Sequence, residues 1–264
     1  MAVGLVAGGN VAGSFVARLP RLAQELGPVA AESYRVASRT SNTLNAGTAV
    51  RGIAELAGCN LVLICCPVKR LGHVVAALAA QPWKRRIVLA CGSGQSTDLQ
   101  PLAASGAVTG SMHPVQGFGD RMFVAEGAPG AIRQARRLAR QFDGRVEEID
   151  SRRTDLFAAG WAIASAHTLA LVDAAVESLH AAGLGKATAG QFTEVWTQLA
   201  LRAYGRAGKR SWKAWTTAVR GASSPLPAIQ DADPSLAHFF RVMDDLARER
   251  FRARARAKGR AARA

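Results

Sequence analysis

Cysteine is scarce in this 264-residue chain, and its four copies, Cys59, Cys65, Cys66 and Cys91, form no CxxC pair and no metal-ligand spacing. They fall in or beside apolar runs, as buried thiols in a reducing compartment do, which argues against a disulfide-stapled secreted domain and against a metal site. No signal peptide is expected in the chain: Met1 to Asn10 is apolar but has no basic start and runs straight into glycines. No charge-free run is long enough for a membrane span. Leu156 to Val172 lacks Asp, Glu, Lys and Arg, yet it is shorter than the roughly 20 apolar residues a span needs, and much of it is Ala, Gly, Ser, Thr and His. It reads as a buried helix packing on its neighbours, in a cytoplasmic protein with no membrane partner.

Acids are few as well, 19 against 34 Lys and Arg, giving a formal charge of +15. Much of the excess lies at the end, where Arg248, Arg250, Arg252, Arg254, Arg256, Lys258, Arg260 and Arg263 face the single acid Glu249. Such a run could grip a polyanion, with binding that weakens steeply as salt rises. No aromatics interleave it and no nucleic-acid motif precedes it, so a solvated helix end fits better and nucleic acid is not the expected partner. The series Arg133, Arg136, Arg137 and Arg140 has helical spacing and reads as an exposed helix face.

Hydrophobic residues make up 49% of the chain, enough for a sizeable core. Their pattern alternates. Strands are expected at Val3–Ala7, Tyr34–Ser38, Asn60–Cys66, Ile87–Cys91, Ala107–Met112, Met122–Glu126 and Val146–Ile149. Between them, helices are expected at about Val11–Leu26, Thr43–Ala57, Leu71–Ala80, Leu99–Ser105 and Gly130–Phe142. The unbroken run Asn-Leu-Val-Leu-Ile-Cys-Cys suits a strand buried on both faces of a parallel sheet. After Ser151 the alternation stops. Asp155–His180 and Ala189–Tyr204 read as helices, Ala214–Arg220 as a shorter one, and a last helix starts after Pro234 with Asp233 as its cap. The expected fold is α/β, a doubly wound Rossmann-type sheet over residues 1–150. A smaller all-α domain follows at 151–247, then a basic tail at 248–264.

In such a sheet a dinucleotide's pyrophosphate sits where the first strand turns into its helix. That turn needs tight backbone, a residue without Cβ beside the phosphate, and a small residue where helix meets strand. Ala7, Gly8, Gly9, Asn10, Val11 and Ala12 stand there, with Gly9 at the critical position, Ala12 at the small one, and Ala7 where the template has its first glycine. Main-chain amides at the helix start would hold the anion. At the end of the expected second strand stand Ser38, Arg39 and Thr40, with no acid to take ribose hydroxyls. A guanidinium and two hydroxyls suit a 2′-phosphate, which favours NADP over NAD. Cys66 and Pro67 follow the third strand, and Gly92 and Ser93 the fourth, both at strand ends where ligands of open sheets bind. His113, in the string Gly110-Ser111-Met112-His113-Pro114, is the candidate catalytic group, placed to bind a substrate or relay a proton during hydride transfer.

The strings Gly8-Gly9-Asn10-Val11-Ala12, Cys65-Cys66-Pro67, Cys91-Gly92-Ser93 and Ser111-Met112-His113-Pro114-Val115-Gln116-Gly117-Phe118, in that order, resemble a bacterial Rossmann-like family that carries a helical domain of unknown function. That family is similar to pyrroline-5-carboxylate reductase, deazaflavin-dependent NADP reductase and the 6-phosphogluconate dehydrogenase superfamily. The His-Pro string also resembles that of prephenate dehydrogenases. The resemblance implies a homodimer joined through the long helix, a cleft between the domains and an NADP-dependent oxidoreductase acting on a small carbonyl or imine substrate. Two departures point instead to a non-catalytic nucleotide-binding or scaffold protein of the same fold. Leu156-Phe157 replaces an expected Tyr-His pair, and Ala222 replaces an acid after Thr217-Ala218-Val219-Arg220-Gly221.

Overall fold

The computed structural model describes residues 3–8, 22–92, 94–115, 121–211 and 225–261. The chain divides into two compact units, Met1–Ala158 and Ala159–Ala264.

The first unit is an eight-stranded sheet. Its strands are β1 (Val3–Ala7), β2 (Leu26–Ala30), β3 (Thr48–Ala49), β4 (Leu61–Cys65), β5 (Ile87–Cys91), β6 (Val108–Pro114), β7 (Met122–Gly127) and β8 (Arg145–Glu148). They lie in the order β3-β2-β1-β4-β5-β6-β7-β8. All neighbours run parallel except β6 and β7, which pair antiparallel with Ser111 opposite Glu126 and His113 opposite Val124. The order reverses at β1, as a doubly wound Rossmann-type sheet requires. Helices α1 (Leu22–Glu25), α2 (Tyr34–Leu44), α3 (Val68–Ala79), α4 (Gln100–Ala104) and α5 (Pro129–Ala139) join the strands.

β1 and β4 are buried at every position, which is why their sequences run apolar rather than alternate. Successive side chains feed two cores, one on each face. Leu5, Leu63, Leu89, Met112 and Ala125 pack with Ile132, Ala135 and Leu138 of α5. Val6, Ile64, Val88 and Ala90 pack with Leu71, Val75 and Leu78 of α3 and with Leu99 and Leu102 around α4. Trp83 is fully buried in this second core, its indole N–H donating to the Leu78 carbonyl at 2.9 Å. Each such side chain contributes about 1.5–3 kcal/mol by leaving water.

The second strand is not where the periodicity put it. Tyr34–Ser38 opens α2, and the strand is Leu26–Ala30. Local caps decide this. Ser33 has extended backbone and its hydroxyl accepts the Val36 N–H, while Asn45 closes the helix in the left-handed region at φ 48°. The helix expected at Thr43–Ala57 is likewise replaced by β3 and a 3-10 segment, Ile53–Gly58. Most of the helix expected at Val11–Leu26 lies outside the described residues; Leu26 itself begins β2.

The second unit continues the helical stretch that begins in the first. α6 (Thr154–Ala162), a π-helical turn (Ile163–His167) and α7 (Thr168–Ala181) lead to α8 (Lys186–Ala207), α9 (Leu226–Ala232) and α10 (Pro234–Ala261). No strand follows β8 among the described residues. Asp233 caps α10 as expected, one carboxylate oxygen accepting the Ser235 and Leu236 N–H groups at 2.8 and 3.2 Å. The backbone of α10 stays helical through the basic run to Ala261. Ala214–Arg220 and the Thr217–Gly221 string lie outside the described residues.

One expectation about this helical region is overturned. Leu156–Val172 is not buried in the single chain. It lies within Ser151–Ala181, which is long and apolar enough to cross a membrane, with an 18-residue window of mean hydropathy 1.3 none of which is buried. Leu156, Trp161, Ile163 and Leu169 are each more than half exposed.

Candidate functional site

The carboxyl edge of the sheet gathers most of the residues singled out in the sequence. At β1, Ala7 is buried and pairs with Cys65, and the Gly8 N–H donates to the Cys65 carbonyl at 2.9 Å. Gly8 is pressed against the next strand end. A Cβ there would sit 3.0 Å from Pro67 Cδ and 3.1 Å from Cys66 Cβ, so the β1 and β4 ends touch through a residue that has none. Gly9, Asn10, Val11, Ala12 and Ser93 lie outside the described residues. Because the Gly8 amide is already engaged, the amides available to a diphosphate would be those that follow it.

The Cys66 thiol is buried beside this turn, and burial pushes it up to about 11. Cys65 is also raised well above the ordinary thiol value, by a hydrogen bond with Cys91 and by burial. All four cysteines are reduced and buried, and no three His, Cys, Asp or Glu side chains converge as a metal site among the described residues.

Ser38, Arg39 and Thr40 are placed differently from the expectation. They belong to α2, not to a strand end. Arg39 is exposed on the helix, and the Thr40 hydroxyl donates to the Val36 carbonyl at 2.9 Å, the usual back-bond of a helical threonine. The residue that follows β2 and Ala31 is Glu32, which forms a salt bridge with Arg70 of α3. Since β2 and β4 flank β1, this pair joins the crossovers on either side of Gly8. The sequence pattern puts no acid at the end of the second strand; the shifted strand supplies one.

At β5 and β6 the arrangement is denser. Gly92 takes φ 81° and its N–H donates to the Met112 carbonyl at 3.2 Å. Gly94 takes φ 82°, and a Cβ on it would run into Leu71 Cδ2. A ring N–H of His113 donates to the Gly94 carbonyl. Burial pushes the histidine below its ordinary value, and the charge of Glu126 opposes that shift. The imidazole is therefore neutral near pH 7, one nitrogen donating to backbone and the other left as an acceptor.

Glu126 is the residue the sequence reading passed over. It is 1% exposed at the end of β7, on the same side of the sheet as its partner Ser111. Its carboxylate accepts the Ser111 hydroxyl and the Ser96 N–H, each at 2.6 Å, together with the Ser96 and Ser151 hydroxyls. Desolvation raises its pKa, but the donors outweigh it and leave the group below its ordinary value. Alongside, the Gln95 side chain accepts the Thr154 hydroxyl at 2.8 Å and donates to Asp155 at 3.2 Å. A single acid in the apolar string Met-Phe-Val-Ala-Glu-Gly was the available signal, since a lone charge in a buried strand must be paired.

Residues 121–226 match a domain of unknown function, DUF2520. No curated protein sequence matches the chain. Among the solved structures that share its fold are three reductases. A pyrroline-5-carboxylate reductase from Coxiella burnetii is 16% identical, with TM-score 0.58 and 93% of each chain covered. An imine reductase from Pseudomonas sp. is 16% identical, with TM-score 0.63 and 90% of each covered. A pyrroline carboxylate reductase from Plasmodium falciparum with NADP bound is 14% identical, with TM-score 0.53, covering 96% of this chain and 97% of its own. The chain thus has a Rossmann-like α/β fold with a helical C-terminal part, as the resemblance implied.

Proposed function

We propose that this protein is a nicotinamide-dinucleotide-dependent oxidoreductase that moves a hydride to or from a small carbonyl or imine carbon. The observation that carries the reading is His113, a half-buried and neutral imidazole anchored on the Gly94 carbonyl, standing on the strand edge that Gly8, Cys66, Pro67 and Gly92 also occupy. The likeness in fold to reductases, one holding NADP, supports it.

The glycine turn fits a dinucleotide. Gly8 brings β1 against Cys66 and Pro67 with no side chain between, and the amides of the residues after it would grip the diphosphate. When bound, the nicotinamide supplies the hydride chemistry. His113 supplies an acceptor nitrogen, suited to a substrate N–H or O–H, which orients the reacting centre and takes up or returns its proton. For the nucleotide we favour NADPH over NADH on the likeness in fold to a reductase that holds NADP. Glu32, just past the end of β2, is an acid suited to ribose hydroxyls and argues the other way. Arg39 is on the exposed side of a helix, so the 2′-phosphate partner is assigned instead to Arg70, half-exposed, which would have to turn from Glu32 to the stronger anion.

Fluorescence titration with NADPH and NADH tests binding, and NADPH consumption with a panel of carbonyl and imine compounds tests turnover. Micromolar binding with turnover is the expected result; no binding of either nucleotide removes the proposal. Binding without turnover would favour a nucleotide-binding scaffold instead. One observation favours that second reading: Leu156 and Phe157 stand exposed and apolar where the resemblance expects two polar groups.

The chain is further proposed to form a homodimer through its helical unit. α7 packs against α8, and the pair leaves Leu169, Phe192, Val195, Trp196 and Leu199 exposed, with Trp161 at the end of α6 exposed as well. A bare face of this kind marks an interaction site. A second copy suits it better than a bilayer, in keeping with a soluble cytoplasmic protein, because α8 carries Glu194, Gln198 and Arg202 bonded to one another between its apolar residues.

A further inference from the structure

We propose that Glu126 is a positioning residue for His113: its carboxylate ties the turn carrying Gly94 to β6 and β7, and so fixes the carbonyl on which the histidine ring is anchored. The tie is visible bond by bond. Ser96, two residues beyond Gly94, gives Glu126 both its N–H and its hydroxyl. Ser111, two residues before His113 on the same strand face, gives its hydroxyl at 2.6 Å. Ser151 gives a third hydroxyl from the segment that precedes α6. One carboxylate therefore holds the turn after β5, the strand bearing His113 and the start of the helical stretch in one register. Gly94 has little freedom of its own, with φ 82° beside Leu71 and with the Gln95 N–H donating to Asp98 at 2.8 Å.

Four hydrogen bonds let this carboxylate stay charged without a cation, and its field acts on His113. The other charged groups nearby are committed elsewhere. From the post-β5 turn, Asp98 holds the Gln95 N–H; from the segment before α6, Asp150 pairs with Arg152 and Arg153, and Asp155 holds the Gln95 amide. From β7, Arg121 precedes the strand and is exposed. Two effects on the histidine follow. The Gly94 carbonyl selects the tautomer whose proton faces it, and the Glu126 charge keeps the ring from falling further below its ordinary value. A substrate would then meet an acceptor nitrogen of defined direction.

This rests on the reading that gives His113 a role, but the test needs neither nucleotide nor substrate, so either can fail alone. The full chain is labelled with ¹⁵N-histidine, and the His113 ring signals are assigned by their loss in His113→Gln. The wild type should show one dominant tautomer. In Glu126→Gln the His113 midpoint should fall by about half a pH unit or more, since a charge that favoured the protonated ring is gone, and the tautomers should mix. Glu126→Asp, which keeps the charge, should restore the midpoint. A folded Glu126→Gln protein with both signals unchanged overturns the proposal. Should Glu126→Gln fail to fold, Ser96→Pro, at the first position of a 3-10 turn, removes both the N–H and the hydroxyl that hold Glu126 while leaving its charge, and the tautomer preference must weaken; an unmoved preference again overturns it.

Discussion

Replacing Ser111 by Ala removes one donor from a carboxylate that water does not reach. Ser111 and Glu126 are each 1% exposed and their bond measures 2.6 Å, so no solvent molecule stands ready to replace the hydroxyl. A hydrogen bond to a charged group contributes roughly 1.5–3 kcal/mol, and a loss of about 2 kcal/mol is expected at pH 7. The pH dependence separates this from a simple packing defect. Glu126 lies below its ordinary value in the folded protein, so the stability it contributes is complete above its unfolded value and is lost as pH falls through its folded value. Ser111→Ala moves the folded value up, by about 1.5 pH units for a 2 kcal/mol loss. The difference between wild type and variant should therefore be flat at neutral pH and shrink in acid, once the variant's carboxyl takes its proton. Urea unfolding followed by circular dichroism at a series of pH values measures it. A penalty that stays constant down to about pH 2, well below the ordinary carboxylate range, would refute a charged Glu126 held by this hydroxyl.

Arg39→Ala should leave NADPH binding within about twofold, while Arg70→Ala should weaken NADPH about tenfold or more relative to NADH, the usual scale for a charge-assisted phosphate contact; the reverse order would return the 2′-phosphate to Arg39. Gly94→Ala should cost about 1–3 kcal/mol through its left-handed backbone and displace Leu71, read as a lowered melting temperature; unchanged stability would contradict the turn as described. Cys66, pushed up to about 11 from an ordinary 9.0, holds about a hundredfold less thiolate at pH 8 than an ordinary thiol. Alkylation of the native protein at that pH should accordingly be slow and should count all four thiols only after unfolding, and one rapidly modified native cysteine would show the β4 end to be open. Sedimentation should give a dimer that Trp161→Glu with Trp196→Glu converts to monomer; a wild-type monomer at micromolar concentration removes the proposed interface.

Most of the strands that periodicity located are largely buried. β1, β4 and β5 carry unbroken apolar runs, because helices cover the sheet on both sides and little of those strands faces water; β6 and β7 are buried along their four middle positions although Thr109, Ser111 and Glu126 interrupt the apolar pattern, and only β8 is mostly exposed. β2 escaped for the opposite reason. Leu-Gly-Pro-Val-Ala contains a glycine and a proline, both poor strand residues, and it is placed by its register against β1 rather than by its own preference. The competing string Tyr-Arg-Val-Ala-Ser looks extended in isolation, yet Ser33 and Asn45 cap it into a helix whose Ala37 and Ser41 face inward. Misplacing that one strand moved the expected ribose contacts onto Arg39, a helix-surface residue, and concealed Glu32.

The site shows the same division between what a string reveals and what a sheet assembles. His113 stands out in the sequence as a histidine before a proline at a strand end, and the structure keeps it there on β6. Glu126 does not stand out, because its significance lies in three partners 15 to 30 residues away in the chain, Ser96, Ser111 and Ser151, none of which is unusual alone. Only the antiparallel pairing of β6 and β7, the one reversal in the sheet, sets Glu126 across from Ser111 on the face His113 shares. Had β7 run parallel to β6, its side chains would have met β6 in a different register, and the lone acid would have been buried with no assured partner. The reversal thus serves two ends at once: it lets a carboxylate be buried fully bonded, and it places that carboxylate's charge where the histidine's proton is decided.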